Sequence, residues 1–210
     1  MKVLELYESI HGELPHIGKP VTIVRLAGCN LQCSYCDAPI HEAGIDMSIN
    51  EIVDKVIELG NRDVLVTGGE PLLQGQATID LCRKLTAEYY VTVETNGTID
   101  ITAVREVPYL SVVMDVKLDT IITEDDIQVD NLEILDTPDA IKFVYWDWES
   151  YSKAWGFIRD HVEEHAPFQI IFSPVDKEYS FVMDFIARAR AYEYLDIRIQ
   201  VQIHKYLNCG

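Results

Sequence analysis

Cys29, Cys33 and Cys36 lie within a span of eight residues and account for three of the five cysteines in a 210-residue chain. Such density, in a chain that opens without a secretory signal, points to metal rather than to disulfides. A structural zinc site takes four ligands, usually as two Cys-x-x-Cys pairs, and the sequence holds no second pair. A fully ligated iron–sulfur cluster also takes four thiolates. Three thiolates in one short loop suggest a four-iron cluster with one iron open to an external ligand, hence a reactive centre. A redox or zinc loop, or a chance proximity, is the competing reading. Cys82 stands in the helical pattern Ile79 to Leu85 and reads as a small buried hydrophobe. Cys209 has no partner at metal-ligand spacing.

Other chemistry-bearing residues gather in short strings. Gly68-Gly69-Glu70-Pro71 follows an apolar run, and glycines at a strand end let the backbone approach a ligand closely. Asn96-Gly97, taken alone, reads as a turn. Lys117 ends an otherwise apolar run, where it can pair with Asp115 or with an anionic ligand. His204 is a lone histidine near the chain end, with a surface position as the alternative. His41, His161 and His165 read as surface.

Elements with helical and strand periodicity must bring these strings together. Residues 2–8 alternate as a short strand, and a turn-rich segment carrying Gly12, Pro15, Gly18 and Pro20 follows. Val21 to Leu26 reads as a buried strand that ends at the cysteine loop. Ser48 and Glu51 form a capping box ahead of an amphipathic helix that stops at Gly60. Further strands are expected at 63–67, 90–94, 109–116, 140–145, 168–172 and 197–203, and helices at about 76–88, 149–165 and 178–192. The acidic region 119–137 reads as an irregular or short helical crossover. Strands alternating with helices imply a parallel sheet wrapped by helices. The polar motifs all fall at the carboxyl ends of the strands, the edge on which β/α barrels build active sites. The expected fold is therefore α/β, a partial, open, about six-stranded β/α barrel in one domain over 1–210.

At 48% hydrophobic the chain can bury a sizeable core. A net charge of −18 argues against nucleic acid and against an anionic membrane as partners. No run approaches the roughly 18 apolar residues of a membrane span. The start Met1-Lys2-Val3-Leu4-Glu5 lacks a signal-peptide core, so a reducing cytoplasm is expected.

The run Cys29-x-x-x-Cys33-x-Tyr35-Cys36 resembles the radical S-adenosylmethionine (SAM) superfamily, and Gly68-Gly69-Glu70-Pro71 resembles its Gly-Gly-Glu-Pro motif. With Glu8-Ser9-Ile10-His11-Gly12-Glu13, the stretch Arg25 to Asp37 and the ending Gln200 to Lys205, the chain resembles the 7-carboxy-7-deazaguanine synthase family. The resemblance implies a [4Fe-4S] cluster on Cys29, Cys33 and Cys36, with SAM chelated by the open iron and cleaved to a 5′-deoxyadenosyl radical. It implies conversion of 6-carboxy-5,6,7,8-tetrahydropterin to 7-carboxy-7-deazaguanine with loss of ammonia, on the route to queuosine and other 7-deazapurines. Mg²⁺, a homodimer and a reductant such as flavodoxin or ferredoxin are implied as well. SAM contacts carry over to Tyr35, Cys36, Asp37, Gly69, Glu70, Asp115, Val116, Lys117, Ser173, Pro174, Val175 and Asp176, with Glu94 and Asn96 near the ribose. Substrate contacts carry over to Ile10, His11, Gly12, Arg25, Thr67 and the Gly210 carboxylate. In the chemistry, Arg25 would clamp the substrate carboxylate through two parallel N–H bonds, Glu13 would accept from the amino-pyrimidinone edge, and His204 would orient substrate or move a proton. The chain departs from the family at His11, where Gln is usual, at Leu14 and after Lys117. It departs also at Ala38, where a hydroxyl usually helps to hold Mg²⁺; His11 would compensate by adding positive charge. The rival readings are a glycyl-radical-enzyme activase and a non-catalytic iron–sulfur electron carrier or zinc-stabilised module.

Overall fold

A computed structural model describes residues 1–13, 15–34, 36, 43–118, 122–175 and 180–207, and of His204 and Lys205 the backbone only. The chain runs β1 (Lys2–Ile10), β2 (Pro20–Leu26), β3 (Ile45–Asp46), α1 (Ile49–Leu59), β4 (Asp63–Gly68), α2 (Gln76–Leu85), β5 (Tyr90–Thr95), α3 (Thr102–Arg105) and β6 (Leu110–Val116). It continues through β7 (Ala140–Tyr145), α4 (Trp148–His161), β8 (Gln169–Pro174), α5 (Val182–Ala189), β9 (Ile197–Ile199) and α6 (Ile203–Leu207). Local chemistry sets the helix ends. Ser48 caps α1 in a reciprocal bond with Glu51, and Gly60 closes that helix at φ 76°, a left-handed conformation that glycine adopts without steric cost. Asp147 caps α4 by accepting from the Ser150 backbone N–H.

The strands form one nine-stranded sheet in the order β3-β1-β2-β4-β5-β6-β7-β8-β9. β2 and β4 to β9 are parallel, while β1 pairs antiparallel with β2 and β3 antiparallel with β1. The expected core of about six strands corresponds to the long parallel strands β2 and β4 to β8, and β1, β3 and β9 extend the sheet to nine. Because residues alternate across a strand, each one presents two unlike faces. Val24, Val66, Val93, Met114, Phe143 and Phe172 face the helices and join Ile52, Leu81, Trp155 and Ile158 in one core. Full burial of each such side chain contributes about 1.5–3 kcal/mol. The opposite face holds a separate small cluster of Val113, Ala140 and Ile171. Above it, toward the carboxyl edge, stand Arg25, Thr67, Glu94, Asp115, Lys142 and Ser173. Register sets Arg25 beside Thr67 and Asp115 beside Lys142.

Some elements differ from expectation. The strand expected over 197–203 is three residues long, because it has a single neighbour, β8. Beyond it the Gln200 amide donates to Ser173 Oγ at 2.9 Å, and the Ile203 backbone N–H donates to the Gly12 carbonyl at 3.0 Å as α6 begins. Region 119–137 agrees with the expected irregular or short helical crossover: its described part holds the short 3₁₀ turns Glu124–Asp126 and Val129–Ile134. The helix expected over 178–192 is α5 followed by a 3₁₀ turn at Arg190–Tyr192. Among the described residues no helix is long and apolar enough to cross a membrane.

Candidate active site

The cysteine loop leaves β2 at its carboxyl end, where the apolar strand gives way to Gly28. The Leu31 N–H donates to Cys29 Sγ at 3.4 Å, and the Cys36 N–H to the Cys33 carbonyl at 3.2 Å. The Asn96 amide donates to Asn30 Oδ1 at 2.9 Å and lies 4.0 Å from Cys29 Sγ, while Asn30 donates to Thr98 Oγ1 at 2.7 Å. The loop is thus tied to the end of β5. Burial pushes the Cys33 thiol up to about 11 and raises Cys29 as well, so iron binding must displace their protons. Among the described residues no three His, Cys, Asp or Glu side chains converge tightly enough to hold a single ion. A cubane cluster spreads its thiolates over separate corners, wider than the ligands of one ion. A donor set of three soft thiolates on one loop fits such a cluster.

Gly68-Gly69-Glu70-Pro71 packs directly under this loop. A Cβ on Gly69 would come 2.4 Å from the Gly28 carbonyl oxygen and 2.5 Å from Cys29 Cβ. The Glu70 N–H donates to that same Gly28 carbonyl at 2.9 Å. The Glu70 side chain is fully buried and accepts from the backbone N–H groups of Leu72 and Asn96 and from the Thr95 hydroxyl. Its carboxylate is therefore occupied within the protein, while the Gly-Gly backbone is partly exposed.

Lys142 stands at the centre of the inward polar row. Its Nζ lies 2.6 Å from Glu13 Oε2, 3.2 Å from Asp115 Oδ2 and 3.8 Å from Glu94 Oε1. Lys117 donates to Asp115 Oδ2 at 2.7 Å, the ion pair that was one of its two expected partnerships. Thr67 donates to Glu94 Oε2 at 3.1 Å, so Glu94 sits with Thr67 and Lys142 while Asn96 turns to the cysteine loop. Glu13 reaches this row from the β1–β2 connection, and its Oε1 accepts from the Gln202 amide at 2.8 Å. Arg25 donates through Nε to Glu5 at 2.7 Å and through Nη2 to the Tyr7 hydroxyl at 3.2 Å. Three of its five N–H groups have no partner among the described residues, enough for a two-pronged contact. His11 is buried, and burial together with neighbouring His16 lowers it to about 4. It is neutral at pH 7, so the expected positive charge is absent.

Burial opposes the charge on Glu13, but the Lys142 ammonium and the Gln202 and Gln200 amides outweigh it and hold the carboxyl down at about 2. A carboxyl lowered from 4.5 to about 2 by folding stabilises the native state above pH 4.5, and that stabilisation is lost as pH falls toward 2. The melting temperature should therefore fall more steeply through this window in the unmodified protein than in Glu13→Gln. At neutral pH the variant should lose up to about 3 kcal/mol, since a buried ion pair is broken from one side. Parallel profiles from thermal melts at stepped pH would mean that the pair does not exist in solution.

The other expected site residues are placed as follows. Val116 turns its side chain into the helix-covered core, which leaves its backbone for any ligand. Pro174 ends β8, and the Val175 N–H donates to the Tyr145 carbonyl at 2.8 Å. The Ile10 and Gly12 backbones lie at the start of the β1–β2 connection that carries Glu13. Tyr35, Asp37, Ala38, Asp176, Gly210 and the His204 side chain lie outside the described residues. Sequence reading missed Lys142 and Gln202. The signal for Lys142 was a lone cation two positions after an inward Ala140 in an otherwise apolar strand.

The family model of the radical SAM superfamily matches residues 23–121. A 7-carboxy-7-deazaguanine synthase of Methanospirillum hungatei is 34% identical over 99% of this chain and 85% of its own. Another, of Koribacter versatilis, is 33% identical over 99% of this chain and 96% of its own. The crystal structure of QueE from Escherichia coli, 19% identical, matches with a TM-score of 0.71 over 95% of this chain and 93% of that one, a likeness of fold. The three-thiol loop over a Gly-Gly edge thus comes with whole-length relatives of one kind, and the chain belongs to the 7-carboxy-7-deazaguanine synthase family of radical SAM proteins.

Proposed function

We propose that this chain is a 7-carboxy-7-deazaguanine synthase, converting 6-carboxy-5,6,7,8-tetrahydropterin to 7-carboxy-7-deazaguanine with loss of ammonia. The observation that carries the reading is the meeting of two sites on one sheet edge. A three-thiol loop tied to β5 lies beside an inward row containing Arg25, Thr67, Glu94 and Asp115. Cys29, Cys33 and Cys36 would hold a [4Fe-4S] cluster, with SAM against the Gly69 backbone, Asn96, Lys117 and Ser173. Bound there, cluster and SAM supply the 5′-deoxyadenosyl radical. The chain's own residues bind and orient: Lys117 offers a cation to the SAM carboxylate, Arg25 grips the substrate carboxylate, and Glu13 accepts from the amino-pyrimidinone edge. Glu94, which accepts from Thr67, would be available to both ligands. The relatives do not favour the activase or electron-carrier alternatives. One domain over 1–210, a homodimer, a cytoplasmic setting, a flavodoxin or ferredoxin reductant and Mg²⁺ belong to the same proposal. With Ala38 lacking a hydroxyl, Mg²⁺ would be weakly bound, with water completing its oxygen shell. Anaerobic reconstitution followed by SAM, reductant and the carboxy-tetrahydropterin should yield a product absorbing as a deazapurine; SAM cleavage without that product would overturn the reading.

Arg25→Ala should weaken substrate binding by about 2–5 kcal/mol, the usual cost of stripping a buried charge pair of one member. SAM binding should change little, because the guanidinium lies on the Glu5–Tyr7 side of the row. Separate titrations of the two ligands decide it: equal losses would make Arg25 a structural residue.

A further inference from the structure

Beside Lys142, two buried acceptors have no hydrogen-bond partner among the described residues: Asp115 Oδ1 and Gln202 Oε1. Each is held in that state by its other atom. Asp115 Oδ2 takes Lys117 at 2.7 Å and Lys142 at 3.2 Å, which leaves Oδ1 open. Gln202 Nε2 donates to Glu13 Oε1 at 2.8 Å, and reversing the amide would set its oxygen against a carboxylate. Its carbonyl is therefore turned away from Glu13 by chemistry, not by chance of assignment. Lys142, only 6% exposed, donates to Glu13 at 2.6 Å and forms ion pairs with Asp115 at 3.2 Å and Glu94 at 3.8 Å. What it does is hold three carboxylates around one ammonium and set which of their oxygens are left without a partner. Buried orphan acceptors are costly and rare, and at a site they mark where a ligand brings the missing N–H.

We propose that Lys142 and Gln202 are positioning residues that give this part of the site a hydrogen-bond-accepting edge, Asp115 Oδ1 and Gln202 Oε1, so that a heterocycle is selected by its N–H donor edge. The ligand class is a fused amino-pyrimidinone, whose exocyclic amine and ring N–H supply donors side by side. Its 2-oxo counterpart puts a carbonyl where the amine was, acceptor against acceptor. Burial opposes the charge on Lys142, yet Asp115, Glu13 and Glu94 hold it well above the usual lysine range, in keeping with a permanent cation. The inference rests on the pterin reading of the site given above and adds the residues that choose the ring.

The test measures binding of 6-carboxypterin and 6-carboxylumazine to the reconstituted holoenzyme by ligand fluorescence anisotropy. The unmodified protein should prefer the pterin by about a hundredfold or more, as sites built to hydrogen-bond a substrate group reject analogues that lack it. Gln202→Leu should cut that preference at least about tenfold while iron content and SAM affinity hold and the melting temperature falls only modestly as Glu13 loses one donor, one lost hydrogen bond in a buried site being worth that much. Lys142→Met should lower it further, and Lys142→Arg should restore part of it. Should Lys142→Met fail to fold, Gln202→Leu decides alone. An unchanged preference in Gln202→Leu, or an equal loss of SAM affinity, would overturn the inference and leave the pterin reading standing. Binding of neither compound to the unmodified protein would overturn that reading and the inference with it.

Discussion

Cys29→Ala, Cys33→Ala and Cys36→Ala should each abolish SAM cleavage, whereas Cys82→Ala should retain it. A four-iron cluster with one open iron has three protein ligands and no spare. Removing one leaves two thiols on a loop whose neighbours are Asn30, Asn96 and Thr98, none of them a ligand for a soft iron centre. Cys82 offers no rescue: it is fully buried in α2 within the helix-covered core, on the face of the sheet opposite the polar row. Burial pushes its thiol up to about 12, so it stays protonated at neutral pH. Its loss should cost the fold about 1 kcal/mol, in the ordinary range for a small core change. Iron and sulfide per chain, with 5′-deoxyadenosine released, separate the cases. Retained cleavage in any one of the three variants would remove the assignment of that thiol.

The legibility of this chain follows the range of the interactions concerned. Cys29, Cys33 and Cys36 lie close in sequence, so their chemistry is readable from spacing alone. The long parallel strands are buried on both faces, and such strands read as near-continuous apolar runs that stand out against the helical periods between them. What stayed hidden depends on partners far away along the chain. Lys142 is paired with Glu13, 129 residues earlier, and within Ala140–Tyr145 its single charge looked like noise in an apolar run. Gln200 and Gln202 alternate with Val201 and so resemble a strand. Their amides instead seek Ser173 and Glu13, 27 and 189 residues away, and the strand stops at Ile199. Glu70 shows the same limit from the other side. Its motif was visible, but that its carboxylate is taken up inside the protein depended on Thr95 and Asn96 arriving from β5.

Gly69→Ala should cost the protein its cluster while leaving most of the fold intact. The new methyl would sit 2.4 Å from the Gly28 carbonyl oxygen and 2.5 Å from Cys29 Cβ, so its obstacles are a backbone atom and the root of a cluster ligand. No rotamer change relieves either contact. The chain must separate β4's end from the cysteine loop, and the first casualty is the 2.9 Å bond from the Glu70 N–H to the Gly28 carbonyl. Overpacking of this kind costs about 1–3 kcal/mol, too little to unfold a sheet of this size. A shift of even part of an ångström at Cys29, however, moves one thiol of the three out of register with the other two. Iron content and the cluster's absorption and EPR signals should therefore collapse, and SAM cleavage with them, with only a modest fall in melting temperature. Gly156→Ala is the matched control. Nothing lies within 4 Å of the position its methyl would take, and it falls inside α4, where alanine is favoured over glycine by about 0.5–1 kcal/mol. That variant should keep its cluster and melt slightly higher. A Gly69→Ala protein that loads iron fully and cleaves SAM at the normal rate would show that the loop and the Gly-Gly edge are not in contact.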